Sequence, residues 1–325
     1  MMRKLLMAAI AVLASAPLGA QEPSANDLMT KVGAYAAAYG EKSSVVVARE
    51  TYTQQVTVIG APDAVRPVKL VAEFAIVKVA GGGWIGFRDV IEMNGEAVPD
   101  RKDRLMSLLT SDSATISEAT RIANENSRYN IGPISRNFNT PTTALFFFLP
   151  ENLQRFTFTK KGTKNIDGIK TTEIAYKETK LPTLVTTRSG KNVPLDGSLW
   201  VTDDGTVIRT QMHMERFADM QAPPDQATPR MQAPTNAASN NGGRAAGGAS
   251  VPTMDTRPID SSADIEVTYK KPDGMDVWLP SQMAELYEGP IQTMQIRATA
   301  GRTVTKATYS NFKQFGASGK IIPQQ

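Results

Sequence analysis

From Gln154 onward the chain is built of short alternating segments: "RFTFTK", "KTTEIAYKE", "TLVTTR", "GSLWVTDDGTVIRTQMHM", "DIEVTYK", "MDVWLP", "QMAELYE", "TMQIRATA" and "TVTKATYSNFKQF". Each places β-branched and aromatic side chains at every second position, the period of a strand. Apart from the stretch 219 to 262, the turns between them are short, which argues for consecutive antiparallel neighbours rather than crossovers. Three earlier segments share this texture. "SSVVVARETYTQQVTV" carries Val46, Ala48, Tyr52, Val56 and Val58 at even positions, and "VKLVAEFAIVKVAGGGWIGFRDVIEMNG" reads as two strands joined across Gly81-Gly82-Gly83 and closed by Asn94-Gly95. The expected fold is α+β: roughly a dozen antiparallel strands in one curved sheet, with helices packed on it.

Helical spacing appears in two places. Ser24 can cap a helix whose Leu28, Val32, Tyr35, Ala36 and Tyr39 form one apolar stripe, with Gly40 as its expected end. In the middle of the chain, Asp100 or Asp103 starts a short helix through Leu105, Leu108 and Leu109. Ile116, Ala119, Ile122 and Ala123 share a face of a second, and "TPTTALFFFL" forms a third before Pro150. Residues 219 to 262 are rich in Pro, Ala, Gly, Asn and Gln and lack period, the composition of a disordered segment, here expected as a loop between neighbouring strands, with a domain linker as the alternative. The reading is a single domain over 21 to 316, with a tail at 317 to 325.

The first residues, Met1-Met2-Arg3-Lys4, then Leu5 to Ala14 and Leu18-Gly19-Ala20, have the three parts of a signal peptide, with cleavage expected after Ala20 and a periplasmic destination. The apolar run is short of the roughly 20 residues that span a bilayer. There is no cysteine, which excludes disulfides, thiolate metal sites and cysteine nucleophiles. Loss of Arg3 and Lys4 takes Lys+Arg from 36 to 34 against 32 Asp+Glu, a net charge of +2 with the cations scattered, so nucleic acid is not an expected partner.

Candidate chemistry is sparse. His213 is the only histidine, so any serine–histidine triad or histidine-bearing zinc site would need it. It falls on a strand face with Arg209 and Gln211, while Ile208, Thr210, Met212 and Met214 fall on the other. Asp203-Asp204-Gly205 reads as a turn. Gly81-Gly82-Gly83 is followed by a strand and no Lys-Ser or Lys-Thr, unlike a phosphate loop. Asp89 and Glu92 beside Arg88 are the one carboxylate pairing available to an enzyme, and simple alternation sends them to opposite faces. No metal or cofactor is expected. The candidate ligand-binding residues are instead Trp84, Phe87, Arg88, Phe146, Phe147, Phe148, Met212 and Met214. Phe146-Phe147-Phe148 cannot all face one core, because consecutive helical residues diverge by about 100°.

The order of elements resembles the periplasmic lipoprotein carrier and receptor family, LolA and LolB, whose fold is an incomplete β-barrel covered by helices. "WIGFRDV", "NGEAVPDRKDRL", "RIANENSRYNIG", "NTPTTALFFFLP", "GSLWVTDDGTVIRT" and "DVWLPSQMAELYE" are similar to an acidobacterial-type group of exported proteins, over roughly Leu28 to Phe315. The resemblance implies a half-open barrel that carries a lipid, a lipoprotein acyl chain or another hydrophobic ligand without catalysis. A second relative of that fold, RseB, implies the alternative of an envelope scaffold or signalling protein with a filled barrel and a protein partner.

Overall fold

The computed structural model describes residues 22–43, 46–63, 65–78, 84–99, 121, 124–134, 136, 139–187, 190–215, 261–291 and 299–314. The expected signal peptide, Gly81-Gly82-Gly83, the helices expected over Asp100 to Leu109 and through Ile116, Ala119, Ile122 and Ala123, most of residues 219–262 and the expected tail lie outside these residues.

Helix α1 spans Ala25–Ser43. Ser24 and Asp27 close a reciprocal cap, Asp27 N–H donating to Ser24 Oγ at 3.2 Å and Ser24 N–H to Asp27 Oδ2 at 3.1 Å. Leu28, Met29, Val32, Ala36 and Tyr39 are buried along one stripe. The helix does not end at Gly40. It continues to Ser43, and Gly40 is a contact point inside it: a Cβ there would lie 1.9 Å from Trp84 Cδ1. A residue read as a helix stop is required for close packing on the sheet.

Strands β1 (Val46–Val58), β2 (Val68–Lys78), β3 (Trp84–Met93) and β4 (Glu96–Ala97) follow, the last two joined through Asn94 and Gly95 at φ 52° and 89°. A five-residue helix α2 (Thr143–Phe147) and a 3-10 turn (Pro150–Arg155) precede β5 (Phe156–Ile166), β6 (Ile169–Glu178), the two-residue β7 (Val185–Thr186) and β8 (Asn192–Val193), β9 (Leu195–Val201) and β10 (Val207–Glu215). The chain ends in β11 (Ser262–Lys270), β12 (Leu279–Ile291) and β13 (Thr299–Gln314).

Eleven of these strands form one antiparallel sheet in the order β4-β3-β2-β1-β13-β12-β11-β10-β9-β6-β5. Neighbouring strands of the sheet are successive in sequence except at β1–β13 and β6–β9. Edge strands β4 and β5 do not pair, so the barrel is incomplete. Helix α1 nevertheless touches β2, β3 and β5, from opposite ends of that order, which requires the sheet to curl around it. Exposed Lys161 and Lys164 and partly exposed Lys160 on β5 protect its free edge from further pairing. β10 and β11 pair directly, with Glu215 opposite Ser262. The intervening segment therefore joins adjacent strands, and Ser262, read as loop, begins β11.

Candidate ligand-binding site

The inner face of the curved sheet has two chemically different halves. On β6, β9, β10 and β11 almost every inward side chain is apolar: Ile174, Tyr176, Leu195, Leu199, Val201, Met212, Met214, Ile265 and Val267 belong to one buried cluster with α1. This half meets the helix mainly through packing, with one hydrogen bond from Lys31 Nζ to the Asp203 carbonyl in the β9–β10 turn. A buried Leu or Ile contributes about 1.5–3 kcal/mol over leaving it exposed.

On β1, β3, β12 and β13 the same inward phase carries a polar layer. Arg88 donates from Nη2 to Glu50 Oε1 at 2.7 Å and to the Asn139 carbonyl at 2.9 Å, and from Nε to Glu50 Oε2. Tyr309 donates to Glu50 Oε1 at 2.6 Å. The Tyr52 hydroxyl donates to Glu285 and accepts from Arg136 Nη2 and Asn139 Nδ2, both at 3.2 Å. Thr305 also donates to Glu285, and Arg136 Nη2 donates to Gln54 Oε1 at 2.9 Å. Arg88 and Arg136 lie over the rings of Tyr52 and Tyr287 at 4.7 and 4.3 Å. Two buried cations meet two buried carboxylates, so the layer is neutral as a whole. Burial pushes the Tyr52 hydroxyl up to about 12 despite Arg136 beside it. The layer divides the main core from a small apolar cluster of Val56, Val58 and Ile291. The space left beside Arg88, Arg136 and Asn139 is about 20 Å³, enough for one water.

Open space is found instead at the helix-covered end. A cavity of about 470 Å³ lies between α1, the 203–206 turn and the 271–278 segment. Tyr35, Tyr39, Val277 and Trp278 form its apolar wall, and Lys31, Lys42, Lys271, Asp204 and Asp276 its charged lining. The turn that builds one side is tied down twice. Lys31 Nζ donates to the Asp203 carbonyl at 2.6 Å, and Gly205, at φ 88°, sits so close to Lys31 that a Cβ would meet its backbone at 2.6 Å. Hydrogen bonds from Thr202 and Thr206 hold the Asp204 carboxyl below its usual range. Lys271, at 2.7 Å, does the same for Asp276. The Tyr35 and Tyr39 hydroxyls are buried with no partner among the described residues, and burial raises both. Such unmet donors cost about 1–3 kcal/mol each.

From this cavity an aromatic ladder runs outward. Ring centroids of Tyr35 and Tyr39 are 5.8 Å apart, Tyr39 and Trp84 5.7 Å, and Trp84 and Phe146 6.0 Å. Phe146 ends the ladder 40% exposed, whereas Phe147 and Phe148 are 8% and 1% exposed. Phe148 packs on Phe156 and Tyr176 at 5.3 and 4.8 Å. The three phenylalanines thus divide, as their angular spread requires.

The eight sequence candidates do not form one site. Trp84 and Phe146 stand on the ladder; Phe147, Phe148, Met212 and Met214 are core. Arg88 is engaged by Glu50. Phe87 falls on the opposite face of the sheet, paired with Ala75 in register and buried there. Ile208 also departs from simple alternation. A bulge between Val207 and Arg209 sets Ile208 outside, packed with Trp200 and Ile166, and brings Val207 into the main core. A second bulge, in β3 opposite Val71 and Ala72, restores Glu92 to the side that Asp89 occupies, so the two do not alternate. His213 lies on the outer face between Asp264, at 2.7 Å, and Glu215, at 3.1 Å.

Sequence reasoning missed Lys31, Lys42, Lys271, Asp276 and Trp278, which only the fold brings together. It also missed Glu50, Gln54 and Glu285, although Glu50 and Gln54 share the even phase of Tyr52, a visible sign of charge aimed inward.

No family model matches the chain, and no curated protein matches it. Among solved structures it is similar to a DUF1329 family protein from Desulfovibrio piger, at 10% identity and a TM-score of 0.34, over 90% of this chain and 93% of that one. A putative outer membrane lipoprotein-sorting protein domain from Vibrio parahaemolyticus matches at 9% identity and TM-score 0.33, over 82% and 85%. The Mycobacterium tuberculosis lipoprotein LppX matches at 15% identity and TM-score 0.22, over 58% and 88%. None is near enough for function to be carried across, and none bears on the acidobacterial-type grouping. No helix of the described residues is long and apolar enough to cross a membrane.

Proposed function

We propose that this chain is an exported, non-enzymatic binding protein or carrier for a hydrophobic ligand, a lipid or an acyl chain, in the bacterial periplasm. The observation that carries the reading is the cavity of about 470 Å³ alongside α1, walled by Tyr35, Tyr39 and Trp278 and continued by the ladder to partly exposed Phe146. Its volume falls in the range of about 300–1,000 Å³ that small-molecule sites occupy. The names of the lipoprotein-sorting domain and LppX agree with this reading without supplying evidence for it. Export rests on the signal-peptide pattern of the first 20 residues.

The test is saturable binding of the neutral dye N-phenyl-1-naphthylamine to delipidated protein. Ala38 lines the cavity from an exposed helical position, so Ala38→Trp fills it without entering the core. Wild-type binding that Ala38→Trp abolishes is the expected result; no saturable binding by wild type would refute the proposal. A second reading, an envelope scaffold with a protein partner, is favoured by the polar layer, which already fills its half of the barrel. Absence of dye binding together with a folded, stable protein would move that reading to the front.

A further inference from the structure

The lining of the cavity is unequal in charge. Three ammoniums, Lys31, Lys42 and Lys271, face two carboxylates, Asp204 and Asp276, leaving one net positive charge. The carboxylates are already committed, Asp204 to Thr202 and Thr206 and Asp276 to Lys271. Lys31 is held by the Asp203 carbonyl, a neutral acceptor, and its charge also reaches Asp27 one helical turn away, outside the cavity lining. Lys42, in the last turn of α1, has no hydrogen bond or ion pair among the described residues, although its charge reaches Asp276 and helps to lower that carboxyl. The apolar wall of Tyr35, Tyr39, Val277 and Trp278 lies in the same cavity.

We propose that the cavity selects a single-chain amphiphile with one anionic head group, the chain lying along Tyr39 and Trp278 and the anion set between Lys42 and Lys271. This rests on the proposed hydrophobic-ligand reading and adds the sign of the head group. An anion completes the charge balance of the lining, whereas a cationic head group would add to an existing excess. Because all three lysines are exposed, the preference is modest, about tenfold in affinity over an uncharged head group, and is screened by salt.

The test displaces N-phenyl-1-naphthylamine with decanoate, decanol and decyltrimethylammonium, which share a chain and differ in charge. Decanoate is expected to displace at about one tenth of the decanol concentration, with decyltrimethylammonium weakest. Lys42→Gln should shrink the advantage of decanoate, and Asp276→Asn, which removes the competing carboxylate, should widen it. Equal displacement by decanoate and decanol, or a decanoate advantage unmoved in both variants, would overturn this inference and leave the hydrophobic-ligand reading intact. If none of the three displaces and the dye itself does not bind, it is that underlying reading that fails. Lysophosphatidylglycerol acting as well as decanoate would assign the anion to a phospholipid head group, and decanoate alone to a free fatty acid; either result carries the inference.

Discussion

The two halves of the concave face share a backbone plan and differ in what fills them. On β9, β10 and β11 the inward positions are Leu199, Val201, Met212, Met214, Ile265 and Val267, and the open cavity lies beyond them, between α1, the 203–206 turn and the 271–278 segment. On β1, β12 and β13 they are Glu50, Tyr52, Gln54, Glu285, Tyr287, Thr305 and Tyr309, and the layer is closed by Arg88 and Arg136. Apolar packing is non-directional and tolerates a lid that shifts. A buried ion network tolerates neither shift nor vacancy, since each charge depends on its partner. The difference points to a division of labour: the polar half locks one end of the open sheet, and under the proposed function it is the apolar half that takes the ligand.

The largest expected effect breaks the locked half. Arg88→Met leaves Glu50 buried opposite an uncharged side chain and should cost about 3–5 kcal/mol in urea unfolding. Combining it with Glu50→Gln should recover much of that loss, because the pair is coupled. A single-variant cost within about 1 kcal/mol would mean that the layer is wet rather than sealed.

In the apolar half, Phe148→Ala should also cost about 3–5 kcal/mol by creating a cavity under Tyr176 and Phe156. Phe146→Ala should stay within about 1 kcal/mol while weakening dye binding, since that ring is already partly exposed. Equal destabilisation by both would remove the distinction between ladder and core.

Gly40→Ala tests the seam between helix and sheet. Helix propensity alone favours Ala by about 1 kcal/mol. The collision with the Trp84 ring should reverse the sign and give a net loss of about 1–3 kcal/mol, with a changed tryptophan emission spectrum. A gain in stability would show that Trp84 moves aside freely.

The smallest effect belongs to the outer face. Burial lowers the His213 imidazole, but hydrogen bonds to Asp264 and Glu215, with Asp196 nearby, outweigh it and leave the group raised above its usual value. Its stabilising contribution is therefore complete below about pH 6.5 and is lost as pH rises through the folded value. His213→Gln should flatten the pH dependence of Tm from neutral pH upward; an unchanged slope would assign it to other groups.

Much of the sheet was legible because a two-residue period survives wherever one face is buried. The antiparallel order of the turn-linked strands follows from alternation and turn length, and the adjacency of β10 and β11 from like strands on either side of a long segment; "MDVWLP", read as a strand, is irregular up to Trp278. Three details escaped for physical reasons. The β10 bulge shifts Ile208 to the other face, which alternation cannot anticipate. Gly40 carries a tertiary contact that outweighs its local tendency to end a helix. The cavity draws Lys31, Lys271 and Asp204 from distant segments, and nothing in the local sequence marks them as a group. Of the residues read as ligand contacts, Trp84 and Phe146 lie on the ladder that leaves this cavity. Phe87 illustrates the opposite error: an aromatic on a well-read strand, yet on the far side of the sheet.

The central claim is that ligand enters the apolar half and never the polar one. Photo-crosslinking with a diazirine-bearing decanoate, followed by peptide mass spectrometry, tests it most directly. The account predicts labels on α1 between Lys31 and Lys42, on the 271–278 segment, and on Trp84 or Phe146. Saturable labelling of Tyr52, Gln54, Arg136 or Glu285 instead would place the ligand in the polar layer and contradict it.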